Sequence, residues 1–470
     1  MKNNIKYYLI VVLSLLLVSC GKDFLEIQPK QNLSTDNAIT DVNSMQAAVN
    51  GVYSLLQSSD YYGRSMILIP DLMADNLFIS AKNSGRYLDF DAFIVQERDG
   101  YVEDAWNVMY AVIINASKAI QAAERIVDSG DPQPDKMSQL IGEAYALRAL
   151  AHFDLVRLFA QPYNYTADAS HPGIPIVSTI SDDPILPARN SVKEVYDAII
   201  SDLEDSIILM NEDKNDGYFS IPSAEALLCR VNLYKEDWDE TIIHANNVIS
   251  SINYSLVLNP DYVDSWDVDF NSESLFEVVN TETDNAESNS IGHTFDVAGY
   301  ADALVTDDLL NEYELNDVRR DLIRIGVKPN AEDPANFVEK YPDGALHTDN
   351  IKVLRLSEVY LNRAEAYANS EEPILALADL NQIVERADPS AAVSGISGQD
   401  LIDRIILERR KELAFEGHRL FDLNRNKKGV NIINSEDIIV ASYPNDRFIL
   451  PIPLSEIDAN PNINENNPGY

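Results

Sequence analysis

The chain has 470 residues, 46% of them hydrophobic, enough to bury a large core in one or two lobes. With 36 basic against 76 acidic residues its formal net charge is -40, which repels phosphate backbones and argues against a nucleic-acid partner unless a basic patch overrides the average. Cys20 and Cys229 are the only cysteines, and the six histidines include no HxxxH or HExxH pair, so no disulfide framework, zinc site or cofactor motif is expected.

Residues 1–19 read as a targeting segment. Lys2 and Lys6 precede an apolar run from Leu9 to Val18, too short to span a bilayer and of the length of a signal h-region. Leu17-Val18-Ser19-Cys20 resembles a bacterial lipobox, in which the chain is cut on the N-terminal side of a cysteine, here Cys20, that becomes lipidated; an ordinary secretory signal with an incidental cysteine is the alternative. Residues 20–33 would then be a lipidated start and a polar tether, and 34–470 one domain. Lipidation would anchor the protein stably to a membrane.

Helical periodicity begins with Met45, Val49, Val52, Tyr53 and Leu56, with Thr40 or Asp41 as cap. From Ser58 to Gly100 the pattern fails, predicting a long loop with a short helix near Asp71 to Asp75. Two strong helices are expected over Val102 to Asp128 and Lys136 to Phe159, broken by Pro132 and Pro134. A proline-rich loop follows, with Gly173 to Val177 as its only strand-like piece, and Ser191 caps a helix to about Met210. Ser223 to Ser250 and Val353 to Ala387 each read as helix, short turn, helix, similar to tetratricopeptide repeats but without a fixed period. Cys229, inside the first, is expected to be a buried small hydrophobe. The large insertion at about 254–350 holds one clear strand, Leu275 to Val279, amid Asn/Asp/Ser-rich loops. The class expected is mostly α: a tetratricopeptide-like helical scaffold with long irregular loop insertions and a few short strands.

Arg404 to Arg425 predicts one charged helix. Leu401, Ile405, Leu413, Leu420 and Leu423 form its apolar stripe, and Glu408, Glu412 and Glu416 stand one turn apart. Either the helix is solvated and laced by salt bridges, or its charged face packs inside with the ions satisfied internally. Gly417 inside the pattern costs about 1 kcal/mol against Ala unless a neighbour packs closely there. Glu416-Gly417-His418 has no partner at a diagnostic catalytic spacing.

Glu408, Arg409, Arg410, Glu412, Glu416, Gly417, Arg419, Asp422, Leu423 and Arg425 make a pattern that resembles the C-terminal signature of the SusD/RagB family of surface nutrient-binding lipoproteins. Asn426 stands where that family often has Trp. Asn50-Gly51-Val52-Tyr53, Tyr313 through Arg319, Ile351 through Leu361 and the closing strand Leu450-Pro451-Ile452-Pro453 resemble further family passages, so the likeness spans nearly the whole chain.

The resemblance implies a non-enzymatic lipoprotein, anchored through Cys20 to the outer membrane and facing the exterior. It would bind oligosaccharide or polysaccharide and deliver it to a SusC-like TonB-dependent outer-membrane transporter. Sugars present apolar faces ringed by hydroxyls, so an exposed Trp or Tyr stacks while amides and charged groups read the hydroxyls. On that chemistry the ligand-binding candidates are Asn83, Arg86 and Tyr87 from the early loop and Trp266, Asn289 and Tyr300 from the insertion. Trp266 and Tyr300 read equally as core residues of the insertion, and Trp106 and Trp238 as helix core. Alternatives are capture of peptides or glycoprotein fragments, a repeat adaptor that binds protein alone, and a glycan-active enzyme, for which 76 acidic residues guarantee some suitable carboxylate pair. The net charge favours neutral or cationic ligands over sulfated or uronic-acid-rich ones.

Overall fold

The computed structural model describes residues 38–128, 133–181, 186–211, 214, 216–433 and 438–470; the signal segment, Cys20 and the tether lie outside the described residues. Fourteen α-helices and eight short strands are present among the described residues. Helix α1 (Val42–Leu56) is capped by Asp41, whose carboxylate accepts from the Asn43 and Ser44 amides, and it buries Met45, Val49, Val52 and Leu56. It packs on α3 (Gly100–Asp128) and α4 (Pro134–Phe159). Here α2 (Ser65–Leu72) is the short helix that lies between α1 and α3.

Helix α4 packs in turn on α5 (Val192–Leu209), which opens with the capping box of Ser191 and Glu194. Replacing such a cap costs about 1 kcal/mol. Two helix pairs continue the scaffold, α6 (Ile221–Lys235) with α7 (Trp238–Ile249) and α10 (Leu356–Asn369) with α11 (Pro373–Ala387), and α7 packs against α10. These are the tetratricopeptide-like units expected from the spacing. Their contact faces are small: Ala224, Ala245, Ala364 and Ala376 are fully buried, which lets the helix axes approach closely. Cys229 is buried in α6, as expected.

The strands form four antiparallel pairs rather than one sheet. Strand β1 (Leu77–Ile79) pairs with β3 (Ala303–Val305), and β2 (Ser274–Val278) with β6 (Ile351–Arg355). Strand β4 (Ile323–Gly326) pairs with β5 (Ala335–Val338), and β7 (Val430–Ile433) with β8 (Ile438–Ala441). The insertion also holds the short helices α8 (Ile291–Phe295) and α9 (Asp307–Glu312). It is therefore richer in structure than its sequence suggests, because runs of three to five residues carry too little periodicity to be read.

Other departures have local causes. The short helix of the early region is Ser65–Leu72, not Asp71 to Asp75; all eight residues are buried, so it shows no polar face and no period. Gly173 to Val177 forms no strand: Gly173 and Ile174 pair with Asn190, beside the bridge of Pro172 with Ser191, but beyond them Pro175 has no amide donor and the Pro175 and Val177 carbonyls accept from the Tyr110 and Ser117 hydroxyls. Leu450 to Pro453 forms no strand either: Pro451 and Pro453 lack amide donors, and the Leu450 amide donates instead to Leu158 O at 2.7 Å.

The expected single helix over Arg404 to Arg425 is two: α12 (Gln399–Glu412) and α13 (Arg419–Arg425), with a turn between them. Gly417 sits in that turn at φ +78, where a Cβ would collide with the Met66 carbonyl of α2. Its glycine is required twice over, by the left-handed backbone and by the close approach.

Candidate functional site

The charged motif is an interior structure. Glu412 Oε1 accepts from Arg386 Nη2 at 2.6 Å, from Arg355 Nη1 at 3.1 Å and from the Tyr262 hydroxyl at 3.2 Å, while Oε2 accepts from Arg319 Nη1 at 3.1 Å. Glu416 accepts from Lys340 at 2.6 Å and from Arg355 at 2.7 Å. Glu273 accepts from Arg386 at 2.6 Å and Arg355 at 3.1 Å. Burial opposes ionisation of Glu412, but Arg386, Arg355 and Arg319 outweigh it and hold its carboxyl well below the usual range. Beyond the turn, Arg419 forks onto Asp75 at 2.6 and 2.8 Å, and the Gly417 amide donates to Asp71 at 3.3 Å. The packed alternative for this segment holds, and its groups face one another rather than solvent.

Trp266 belongs to this interior. It is 8% exposed, and Lys340, Arg355 and Lys352 lie 4.3, 5.1 and 5.4 Å from its ring. Cations on the ring take the place a sugar face would need, which corrects the expectation of an open stacking platform there. Trp106 is core and Trp238 is partly buried against the core.

The other five candidates come together, and the β1–β3 pairing is the cause. It sets the loop after β1 beside the loop before β3, with Ser80 N donating to Asp302 O at 2.9 Å. Arg86 then lies over Tyr300, its guanidinium 4.0 Å from the ring centroid and its Nη2 3.2 Å from the hydroxyl. The hydrogen bond from Arg86, then one from Ser288, holds the Tyr300 hydroxyl below the usual phenol range. Asp302 fixes the same loop by accepting from the Ser84 amide at 2.8 Å and from its hydroxyl. Asn83 closes the turn: its Nδ2 donates to Ser80 O at 2.8 Å and its Oδ1 accepts from Gly85 N at 2.8 Å. Gly85 has φ +87 with open space around it.

Tyr87 is 3% exposed and stacks on Tyr101 at 4.1 Å, so it supports the loop and offers no face to solvent, a second correction. Its hydroxyl, pushed up to about 12 by burial, accepts from Arg64 Nε at 2.9 Å. Arg64 also reaches Asn289 Oδ1 at 3.4 Å and so ties the two loop systems together. The sequence reading missed Arg64 because it precedes an all-buried helix with no polar face. It also missed His293, which meets Tyr300 edge-on at 4.8 Å. What reaches the surface is a half-exposed Arg86 and Tyr300, ring and guanidinium in contact, with an exposed Asn289 tied to the same loops through Arg64.

Fold and site together define a helical-pair scaffold that displays a structured loop cluster. Residues 334–470 match the family described as SusD family, and residues 23–234 match the one described as starch-binding associating with outer membrane. A SusD superfamily protein from Bacteroides thetaiotaomicron VPI-5482 superimposes with a TM-score of 0.83 at 30% identity, covering 91% of this chain and 100% of that one. Another from Bacteroides vulgatus ATCC 8482 gives 0.82 at 30% identity, covering 92% and 99%. SusD-like protein P2 of Formosa agariphila is 28% identical over 99% of this chain and 100% of its own length. The chain belongs to the SusD/RagB family.

Proposed function

We propose that the protein is a cell-surface, outer-membrane lipoprotein, lipidated at Cys20, that captures oligosaccharides without catalysis and passes them to a partner SusC-like TonB-dependent transporter. The observation that carries this reading is the match of residues 23–234 to a family described as starch-binding and associating with the outer membrane. The half-exposed Arg86 and Tyr300 and the exposed Asn289 support capture at this loop cluster, with Asn83 and Tyr87 shaping its loop.

The soluble form beginning after Cys20, titrated calorimetrically against neutral and acidic oligosaccharides and against peptides, tests it. A glycan is expected to bind, and Tyr300→Ala or Arg86→Ala to weaken it roughly tenfold, about 1.4 kcal/mol. Trp266 acts only as support. Binding of peptides alone, or turnover of a glycan by the pure protein, would replace this reading. Cys20→Ala is expected to release the full chain from the membrane fraction.

A further inference from the structure

A recess lined partly by α1 and partly by the insertion shares no residue with the Arg86, Tyr300 and Asn289 cluster. It is a cleft of about 390 Å³ between the C-terminal half of α1, the 216–218 turn and the end of β2. That volume falls inside the roughly 300–1,000 Å³ typical of small-ligand sites. Its walls carry three rings, Tyr53, Tyr218 and Phe270, with Asn50 and Gln57 as amides and Asp216 and Asp284 as exposed carboxylates. None of its lining residues is cationic.

The walls are built to hold those rings in place. Tyr53 is fixed by the Phe219 amide, which donates to its hydroxyl at 2.9 Å. Tyr218, 39% exposed, meets the Tyr53 ring edge-on at 5.1 Å and 85°. Gly217 between them has φ +79 and packs so tightly on Val279 that a Cβ would collide, so the turn lies flat against the strand end. Phe270 adopts φ +51, a left-handed backbone that bulky residues rarely take. The fully buried Glu277 holds it there, both carboxylate oxygens accepting from the Phe270 amide at 3.1 Å. Lys214 reaches the Phe270 carbonyl at 2.8 Å and is not part of the lining.

We infer that this cleft is a second carbohydrate subsite, selective for a neutral or amino sugar unit, an inference that rests on the glycan-capture reading. Rings supply stacking surface, amides donate to and accept from hydroxyls, and the carboxylates accept from hydroxyls and attract an ammonium while repelling a uronate or sulfate. The first cluster instead presents a cation, the Arg86 guanidinium. Asp284 of the cleft and Asn289 of the first cluster are five residues apart, so their Cα atoms are at most about 18 Å apart. An oligosaccharide of several units is long enough to span that separation.

Hydrogen exchange of the soluble chain, with glucosamine hexamer, maltohexaose or an oligogalacturonate at millimolar concentration, reads the two places separately. Glucosamine hexamer or maltohexaose is expected to slow exchange at 216–218 and 278–284 on the order of tenfold. Tyr218→Ala and Asp216→Asn, both at exposed positions, should abolish that protection while leaving exchange in the core helices unchanged. Slowing confined to 83–87 and 298–302 would overturn the second subsite and leave glycan capture standing. Equal protection by oligogalacturonate would overturn the selectivity. No slowing at either place with any probe would overturn both.

Discussion

The signature segment and the loop cluster both depend on arginines beside carboxylates and rings, yet they are built in opposite ways. Around Glu412 the ions are buried, and Glu412, Arg355, Arg386 and Arg319 each meet two or more oppositely charged partners, drawn from β6, α11, α12 and the loops at 273 and 319. Around Arg86 the groups are half-exposed, and no salt bridge holds them among the described residues. A buried ion left without its partner is expensive, so the first arrangement tolerates almost no change of residue type. The second can vary its side chains without unfolding the scaffold, as the capture proposed for it would require.

The contrast sharpens under substitution. Glu412→Ala leaves Arg355, Arg386 and Arg319 short of their shared carboxylate and should cost about 3–5 kcal/mol, read as a fall in the urea midpoint or loss of soluble protein. Gly417→Ala should cost about 3 kcal/mol, because it meets both a left-handed φ and the Met66 carbonyl. Gly85→Ala, at a similar φ but in open space, should cost only about 1 kcal/mol. Equal losses at the two glycines would break the claim that close packing dominates at the first.

A pH titration sharpens it further. Burial pushes Asp71, beside the signature turn, up to about 7. A carboxyl raised above its unfolded value of about 4 holds its proton better in the folded chain. Its stabilising contribution is therefore complete below about pH 4 and is lost as pH rises toward 7. The depressed carboxyls of Glu412 and Asp422 have the reverse sense, losing stability as pH falls below about 4. Asp71→Asn should flatten the decline in thermal midpoint between pH 4 and 7; an unchanged slope would mean Asp71 is not its source. At the small end, Arg86→Ala and Tyr300→Ala should change stability by no more than about 0.5 kcal/mol while altering ligand affinity. A large loss of stability there would merge the two regions into one.

Much of the scaffold was legible because it obeys long-period rules. The Ser191 cap, the α6–α7 and α10–α11 pairs and the buried Cys229 follow from apolar spacing and capping residues alone. The turn at Gly417 was not legible as a turn, because helical spacing of Leu413 and Leu420 continues across it. Strands β3, β4 and β5 were hidden by brevity. At the candidate site, the residue types of Arg86, Tyr300 and Asn289 could be singled out, yet their meeting depends on the β1–β3 pairing, a contact between positions more than 200 residues apart. Trp266 shows the converse: rarity drew attention to it, and three cations that it covers explain why it is there.

The ionic interior also redistributes the charge of the whole molecule. Arg148, Arg157, Arg230, Arg319, Arg355, Arg386, Arg409 and Arg425 are all buried, so a large part of a small basic complement never faces water. The carboxylates that pair them are buried too, Glu273, Glu358, Glu365, Glu412 and Asp422 among them, so the solvent-facing shell keeps the acidic excess of the amino-acid totals. Such a shell gathers a counter-ion atmosphere about 8–10 Å deep at ordinary ionic strength. It should hold acidic polymers off at low salt and admit them as salt rises, the reverse of the usual dependence for a basic binding protein. Capture by the exposed loops would then work best for a polymer that carries no charge of its own.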